Sequence, residues 1–216
     1  MANALPESPL HERNVTDIII HDNYLAGRLK NDIALIVVDK SLKLTNAVNT
    51  ICLPPPSVRT NGGTICTSGG WGKSAINQNG KYQATPKKIK LPIVNHRICE
   101  AILSPGFKHN LPDSFICAGG GTLDTYKGDG GSPLFCRIPN DIGRFYQTGI
   151  ASGVMTRYEQ KIIASGMTLY GIPGLYVNVA YFSDWITQQL QFINGRMRPE
   201  NILSEDLFFE KRNFEK

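Results

Sequence analysis

The chain has 216 residues, of which 19% are charged, and a formal net charge of +5. This length is enough for one large or two small β-barrel domains. The 21 glycines and 13 prolines favour an all-β, turn-rich protein over a helical bundle. The charge is a mild bias towards acidic partners, which a need for solubility explains equally well. No apolar run of about 18 residues occurs, so no transmembrane helix is predicted.

The cysteines and the first residues bear on the compartment in which the protein works. Five cysteines occur, and this odd count leaves one of them free or paired outside the chain in an oxidising compartment. Residues 1–12 show no periodicity and are predicted to form a flexible N-terminus. Met1–Leu10 contains no apolar stretch typical of a signal peptide. From these residues alone, no secretion signal is predicted.

Strand signals begin early in the chain. Short β-branched runs bounded by turn residues predict strands at Val15–Ile20 and Ile33–Val38. Pro54–Gly63 is rich in Pro, Gly and Asn and predicts a linker. Lys88–Val94 alternates between apolar and polar residues, which is typical of a strand with one buried face. The next residues, Val94–Leu103, favour a short helix.

The second half of the chain contains further strand signals and one strong helix signal. Short apolar segments predict four more strands, at Ser114–Ala118, Ser132–Cys136, Phe145–Ala151 and Gly174–Val179. Apolar residues spaced three and four apart predict an amphipathic helix at Phe182–Ile193. Ser183 can cap this helix, and Asn194 with Gly195 can end it.

The most informative stretch is residues 128–134, which read G-D-G-G-S-P-L. It resembles the nucleophile loop of the chymotrypsin-family serine proteases, G-D-S-G-G-P-L, in which the serine attacks the scissile carbonyl. By this resemblance Gly130 stands at the position of the nucleophile. Ser132 is two residues too late, which displaces its Cα by roughly 6–7 Å along an extended chain, and Pro133 favours such an extended backbone. A nucleophile needs fixed reach to its base, so Ser132 is not a substitute.

Other segments carry the same resemblance. Residues 32–35 resemble the family's D-I-A-L motif, although an isolated aspartate before a buried strand is more often a turn former. Residues 51–54 (I-C-L-P) resemble the C-L-P segment that follows, and residues 66–72 (C-T-S-G-G-W-G) resemble the strand and turn that lead to G-W-G. The match extends from about Arg13 to Ile193.

The resemblance implies a vestigial active site. Asp32 matches the aspartate of the catalytic triad, Gly130 the nucleophile position, and Gly128 supplies an amide of the oxyanion hole. Asp124 matches the pocket-floor aspartate of trypsin-like specificity, and an ordinary loop residue is an equally weighted interpretation. Asp129 matches the aspartate that binds the activated N-terminus. Because that N-terminal segment has no match here, we expect Asp129 to find another partner or to lie in a solvated loop.

Two further features of an active protease have no counterpart in the sequence. The family's T-A-A-H-C segment carries the general base, and nothing similar occurs. The histidines are therefore interpreted as surface or structural residues: His11, His21, His96 and His109. A pocket disulfide is also lost, because Tyr126 occupies a cysteine position, and residues 151–153 (A-S-G) replace the usual S-W-G wall. The loop Val154–Tyr170 is longer than is typical of the family.

The resemblance also pairs four of the five cysteines. It implies disulfides between Cys66 and Cys136 and between Cys99 and Cys117. Cys52 is left over, and the corresponding cysteine of the family usually bridges to a region N-terminal to the protease domain. We therefore expect Cys52 to carry a free, reactive thiol in this chain.

The predicted fold is all-β, the trypsin-like double β-barrel with a C-terminal helix. The resemblance places the serine protease (homologue) domain at residues 13–194, with an incomplete first barrel at 13–60 and a second barrel at 61–194. A charged tail follows at 195–216. The first barrel lacks its early strands, and folded proteins normally avoid the unpaired edges that result. We therefore expect the chain to be a truncated form.

The variant G-D-G-G-S-P-L is typical of the non-catalytic serine protease homologues of arthropods. In subtilisin, removal of the nucleophile or the base alone lowers kcat by about a millionfold, so the resemblance implies an inactive protein. It implies a binding or cofactor module that acts outside cells in innate immune cascades such as prophenoloxidase activation and melanisation. The expected partners are proteins, either active clip-type proteases or prophenoloxidase. No cofactor, metal, nucleic acid or membrane is expected.

Two alternatives stay open at this point. The first is an active trypsin-like serine endopeptidase, which the fold alone would suggest, although function resides in the site and not in the fold. The second is a non-functional fragment of such a protein. Gly130 argues against the first alternative, because a glycine has no side chain with which to attack a carbonyl.

Overall fold

The computed structural model describes residues 11–26, 29–74, 80–103, 111–120, 124–153 and 172–196. By its internal packing the chain divides into two units, Met1–Ser183 and Asp184–Lys216. Three segments singled out in the sequence lie outside the described residues: 1–10 of the predicted N-terminus, the long loop at 154–170, and 197–216 of the charged tail.

Two strands form a small antiparallel sheet at the beginning of the described chain. Strand β1 spans Val15–Ile20 and strand β2 spans Ala34–Val38. Their register places Ile18 opposite Ile36 and Ile20 opposite Ala34. Both strands match the predicted β-branched runs, because such residues favour the extended, pleated backbone.

The remaining six strands close into an antiparallel barrel, which confirms the predicted all-β fold. Around the barrel the strands follow the order β3-β4-β5-β8-β7-β6. They are β3 (Ile65–Gly70), β4 (Lys87–Val94), β5 (Phe115–Ala118), β6 (Pro133–Arg137), β7 (Phe145–Gly153) and β8 (Gly174–Asn178). Each strand begins and ends within one or two residues of its predicted position. A closed barrel leaves no strand edge exposed to another chain.

The barrel core is formed by side chains that alternate along its strands. On β4, Leu91 and Ile93 are buried, while Lys90 and Pro92, the neighbours of Leu91, are exposed, as the alternation in the sequence predicts. They pack in one cluster with Leu134 and Tyr176, which are both completely buried. Full burial of an aliphatic side chain stabilises a fold by about 1.5–3 kcal/mol, so this cluster is a major source of the barrel's stability.

The two disulfides implied by the resemblance are both present. Cys66 is bonded to Cys136 within the barrel core. Cys99 is bonded to Cys117 and joins helix α1 (His96–Leu103) to β5. This second bridge lies in a separate apolar cluster that contains Leu103, Phe115 and Leu175.

A second helix, α2, spans Ser183–Arg196. It continues through Asn194 and Gly195, so the prediction that these residues end it was wrong. A glycine that ends a helix adopts a positive φ, and Gly195 is not among the described residues that do so. Neither helix that the structure describes is long and apolar enough to cross a membrane.

The β1–β2 sheet has a different character from the closed barrel. Within the described part of the chain, β1 and β2 pair only with each other. Val15, Ile18, Ile20 and Ile36 are each more than half exposed. Two strands alone bury too little apolar surface to be stable independently. The described part of the first barrel therefore depends on the rest of the chain for its position.

Cys52 is the one free cysteine in the described chain, as expected, and it is half-buried. It extends the barrel sheet by one residue, since its amide donates to the carbonyl of Phe145 at 3.2 Å and its carbonyl accepts from the amide of Gln147 at 2.9 Å. The backbone of Cys52 is therefore fixed beside β7, while its thiol has no disulfide partner.

Removing either disulfide should destabilise the fold. Removal of the disulfide that closes the longer segment of chain should have the larger effect. The bridges close chain separations of 70 and 18 residues. On the chain-entropy account, replacing Cys66 and Cys136 by alanine should lower the free energy of unfolding by roughly 4 kcal/mol, against roughly 3 kcal/mol for Cys99 and Cys117. Urea denaturation of both double variants measures this difference. A larger loss from the Cys99–Cys117 pair would contradict the account.

Alkylation should single out Cys52. Under non-reducing conditions, iodoacetamide should label one peptide, because four cysteines are bonded and Cys52 is free. Peptide mapping before and after reduction reads the result directly. A Cys52→Ser variant is the matched control and should take no label until it is reduced. Label on Cys99 or Cys117 in the unreduced protein would refute the pairing.

Candidate functional site

The loop that resembles a nucleophile loop lies between residue 125 and the start of β6. It is a compact turn, in which the amide of Asp129 donates to the carbonyl of Tyr126 at 3.0 Å and the amide of Ser132 donates to the carbonyl of Asp129 at 2.9 Å. Ala151 of β7 anchors the turn from the other side, accepting from the amide of Gly131 at 2.7 Å and donating to Ser132 at 2.8 Å. The loop is thereby fixed to the barrel.

The carboxylate of Asp129 is buried beneath this loop, with 7% of the residue exposed. It accepts hydrogen bonds from the amide of Gly72 at 2.8 Å and from the amide of Tyr126 at 2.9 Å. No cation of the described chain forms an ion pair with it. Of the two expectations for Asp129, another partner and a solvated loop, the geometry corresponds to the first, and that partner is a pair of backbone amides.

The close approach of this carboxylate explains two glycines of the segment at 66–72. A Cβ atom at Gly72 would lie 2.2 Å from a carboxylate oxygen of Asp129, and a Cβ at Gly70 would lie 2.3 Å from the other oxygen. Such distances are far below van der Waals contact, so any side chain would displace the carboxylate. Glycine is therefore required at positions 70 and 72 by the aspartate that they cover.

Gly130 and Gly128 occupy the exposed side of the loop. A Cβ at Gly130 would meet nothing within 4 Å, so the space of a nucleophilic side chain is open. Gly128 has a φ of +100°, and a Cβ there would lie 2.7 Å from Cε1 of Tyr82. Within the described chain, the amides of Gly128 and Gly130 donate to no other group. Two free amides at this place are the arrangement that an oxyanion hole needs.

Asp32 lies close to this loop although it is about a hundred residues away in sequence. Its Oδ2 accepts a hydrogen bond from the hydroxyl of Ser152 at 2.7 Å, the one partner of Asp32 in the described chain. Ser152 in turn lines a cavity together with Gly130. The structure thus places Asp32 one hydrogen bond away from a cavity that Gly130 also lines. The sequence had drawn attention to residues 151–153 only for a lost tryptophan, and not for this serine.

The cavity beside Gly130 is small. Its volume is about 30 Å³, which is room for one or two water molecules. Its described lining residues are Thr125, Tyr126, Asp129, Gly130, Ala151, Ser152, Gly174 and Leu175. Tyr126, which the sequence places at a lost cysteine, is thus part of the wall.

Asp124 lies behind the cavity and is not among its described lining residues. Its carboxylate accepts from the amide of Gly120 at 3.0 Å and from the amide of Thr125 at 2.7 Å. Burial raises the pKa of Asp124 to about 6, against an ordinary value of 3.8, although these hydrogen bonds act in the opposite direction. Nearby, the Thr125 hydroxyl and the Tyr176 hydroxyl are 2.9 Å apart, and burial raises the pKa of Tyr176.

Two of the four histidines have structural surroundings in the described chain. Nδ1 of His21 accepts from the amide of Asn23 at 3.2 Å, and the His21 ring packs edge-on against Phe182 at 5.4 Å. Nε2 of His96 lies 3.0 Å from the carbonyl of Leu111. His109 lies outside the described residues. Among the described residues, no three His, Cys, Asp or Glu side chains come together as a metal site.

The closed antiparallel barrel, the two disulfides and the loop held over a buried aspartate define a chymotrypsin-type serine protease fold. The family model described as Trypsin matches residues 4–186. The chain belongs to the trypsin family.

Curated relatives within this family include both proteases and proteins named as inactive. The chain is 36% identical over 186 residues to "Phenoloxidase-activating factor 2" of Galleria mellonella, covering 84% of this chain and 58% of that protein. It is 32% identical over 186 residues to "Inactive CLIP domain-containing serine protease A28" of Anopheles gambiae, covering 84% and 45%. It is 28% identical over 181 residues to "Tryptase" of Mus musculus, covering 82% and 62%. The chain spans about half the length of the first two relatives.

The half-buried carboxyl group of Asp124 should make the free energy of unfolding depend on pH in an unusual direction. Its pKa is about 6 in the folded protein and 3.8 as the ordinary value, so the folded state holds the proton more tightly than the unfolded chain. Its contribution is therefore fully present below about pH 4 and is lost as the pH rises through 6, by roughly 3 kcal/mol.

Urea denaturation between about pH 4 and pH 7 tests this dependence. The unmodified protein should lose stability over this range relative to an Asp124→Asn variant, in which no carboxylate can ionise. Asp141→Asn is the matched control, because the hydrogen bond of Asp141 with Arg144 lowers its pKa, so it titrates below this window. If Asp124→Asn and the unmodified protein show parallel profiles, Asp124 is not the group responsible.

Proposed function

We propose that the protein is a catalytically inactive serine protease homologue that acts as a binding or cofactor module in an extracellular proteolytic cascade of the innate-immune, melanisation type. The observation that carries this proposal is Gly130, at the position where the family places its nucleophile. A glycine contributes no atom that could form an acyl-enzyme. The scaffold around it is nevertheless retained, with the turn anchored to β7 and the carboxylate of Asp129 in place.

The serine two residues further on does not replace the nucleophile. Ser132 precedes Pro133 at the start of β6, and its backbone is bonded to Asp129 and Ala151. A Cβ at Gly70 would lie 2.7 Å from Oγ of Ser132, so this hydroxyl lies against β3. It is not among the described residues that line the cavity beside Gly130.

The vestigial triad aspartate also supports the proposal. In the family this aspartate orients the histidine base, and here Asp32 bonds to the hydroxyl of Ser152 in the described chain. The sequence contains no T-A-A-H-C segment to supply the base. A hydroxyl introduced at position 130 would therefore have no partner to remove its proton, and such a hydroxyl is a poor nucleophile.

The two disulfides and the relatives support an extracellular role in a cascade. Disulfides such as Cys66–Cys136 persist in oxidising compartments. One relative is named as a phenoloxidase-activating factor and another as an inactive clip-domain protease. By this likeness, the partners of the present chain are proteins, either an active clip-type protease or prophenoloxidase, and the altered site binds without cleaving.

Labelling and turnover test the absence of catalysis. The purified protein should form no covalent adduct with a fluorophosphonate probe, while trypsin in the same buffer is fully labelled. Gly130→Ser should fold, because the added side chain meets nothing within 4 Å, and it should still cleave Arg and Lys peptide substrates no faster than background. Gly130→Ala is the matched control, with the same backbone effect and no hydroxyl.

The same experiments distinguish the inactive homologue from the alternative function, an active trypsin-like endopeptidase. The free amides of Gly128 and Gly130 are the feature that favours such an enzyme. Stoichiometric labelling of the unmodified protein, at Ser132 or elsewhere in the loop, would refute inactivity. Clear turnover by Gly130→Ser, absent in Gly130→Ala, would show that a histidine of this chain reaches the site.

A further inference from the structure

A surface next to the altered site combines lysines with two exposed aromatic side chains. Trp71 is 59% exposed and Tyr82 is 58% exposed. Both belong to segments that border the turn carrying Gly130. The basic–aromatic surface, as we name it, comprises residues 71–74, 80–90 and 125–128.

Hydrogen bonds hold these three segments together. The amide of Lys73 donates to the carbonyl of Lys127 at 3.0 Å, which joins the first segment to the third. The amide of Ser74 donates to the carbonyl of Lys81 at 3.0 Å, which joins the first segment to the second. The ammonium group of Lys73 lies 5.7 Å from the ring centroid of Tyr82. Lysines from all three segments therefore lie in one region.

The strand that follows extends the same surface. Lys87 lies opposite Gly70 in the β3–β4 pairing, directly before Trp71. Tyr82 lies against Gly128, since a Cβ at that glycine would be 2.7 Å from the tyrosine ring. The aromatic ring thus lies beside the turn at residues 125–128.

The charge of the molecule is concentrated here. The three segments contain six lysines and no acidic residue: Lys73, Lys81, Lys87, Lys88, Lys90 and Lys127. Their charge of +6 exceeds the net charge of +5 of the whole chain, so the remainder carries a net charge of −1. The net positive charge of the chain is therefore located in these three segments and is not spread evenly over the sequence.

This charge is not neutralised by the part of the protein that the structure describes. The ion pairs of that part are Arg144 with Asp141 and His96 with Asp113, and none of the six lysines takes part. The carboxylate of Asp129, which follows the segment at residues 125–128, is buried and bonded to two amides. Unpaired charge of one sign attracts a partner of opposite sign and sets its orientation on approach.

We propose that the basic–aromatic surface docks an acidic segment of a partner protein in which carboxylates are interspersed with large apolar side chains. Exposed Trp and Tyr favour a protein partner over a sulfated polysaccharide, because aromatic residues are enriched at protein interfaces and supply much of their binding energy. The proposal rests on the proposed function, since it names the partner class and the surface of the binding module.

Binding of defined probes by the full chain tests the proposal. The probes are a fluorescein-labelled peptide that alternates Glu with Phe and Leu, a polyglutamate peptide of equal charge, and a heparin octasaccharide. The unmodified protein should bind the Glu-Phe-Leu peptide most tightly. A Lys73→Gln/Lys81→Gln/Lys127→Gln variant should lose about tenfold in affinity for it, the order expected for three exposed charge contacts.

Matched variants make the result specific to this surface. Lys30→Gln/Lys40→Gln/Lys43→Gln removes the same charge from exposed positions elsewhere and should change the affinity less than about twofold, the small effect of screened, distant charges. Trp71→Ala should weaken binding of the Glu-Phe-Leu peptide and leave polyglutamate binding unchanged. Thermal unfolding and the disulfide map of each variant verify that it is folded, and Lys87→Gln/Lys88→Gln on β4 serves as a second charge variant.

Three outcomes would overturn the proposal. Equal losses in the two triple variants would mean that only net charge matters. Tighter binding of heparin than of the Glu-Phe-Leu peptide would identify a polysaccharide site. If the Glu-Phe-Leu peptide does not bind at low ionic strength, the basic–aromatic surface is not a docking site for such a segment. Catalytic inactivity is read separately by the fluorophosphonate probe, so a protein that is labelled yet binds the peptide refutes the proposed function and leaves this surface in place.

Discussion

The carboxylate of Asp129 is the interaction on which the arrangement of the site depends. A buried charge without a partner is strongly destabilising, and this one is held by amides donated from Gly72, 57 residues earlier in the chain, and from Tyr126, three residues earlier. Hydrogen bonds to an ionised acceptor are roughly twice as strong as neutral ones. The carboxylate therefore draws the G-W-G turn over the nucleophile loop, and glycine is the one residue that the contact permits at 72.

The same contact links the altered site to the surface beside it. Because the G-W-G turn lies over the loop, the backbone amide of Lys73 donates a hydrogen bond to the backbone carbonyl of Lys127. The vacant position at Gly130 and the unpaired lysines are thus neighbours held by one buried charge. In an active family member such a scaffold positions reacting groups, whereas under the proposed function it positions a binding surface. This is consistent with the view that function belongs to the site and not to the fold.

Local sequence patterns predicted much of the fold, and long-range contacts were less accessible. The alternation along β4 and the β-branched runs of β1 and β2 predicted strands to within one or two residues, because side-chain period reports directly on burial. The end of α2 was wrong, because Asn194-Gly195 is a local stop signal and the observed backbone of Gly195 stays out of the left-handed region. The disulfide pairs followed from the family resemblance, since spacing alone does not decide connectivity.

The contacts of the candidate site required three dimensions. The bond of Asp32 to Ser152 spans 120 residues and depends on how β7 enters the barrel. The lysines of the basic–aromatic surface come from three separate segments. In the sequence they contribute to the net charge, but their proximity is not visible. By contrast, the assignment of Gly130 to the nucleophile position is a prediction from the local motif alone and depends on no long-range contact.

The pairing of β3 with β6, like that of β4 with β5, is among the shortest of the barrel. Strands β3 and β6 meet over two residue pairs, whereas β3 and β4 meet over six. The Cys66–Cys136 bond lies immediately beside these two pairs. A short ladder opens readily by local fluctuation, and at this one a covalent bond lies beside the pairs that would separate. In an oxidising compartment, amide hydrogen exchange in β3 and β6 is thus governed by larger unfolding events, while a reducing compartment would allow these two strands to separate by local opening.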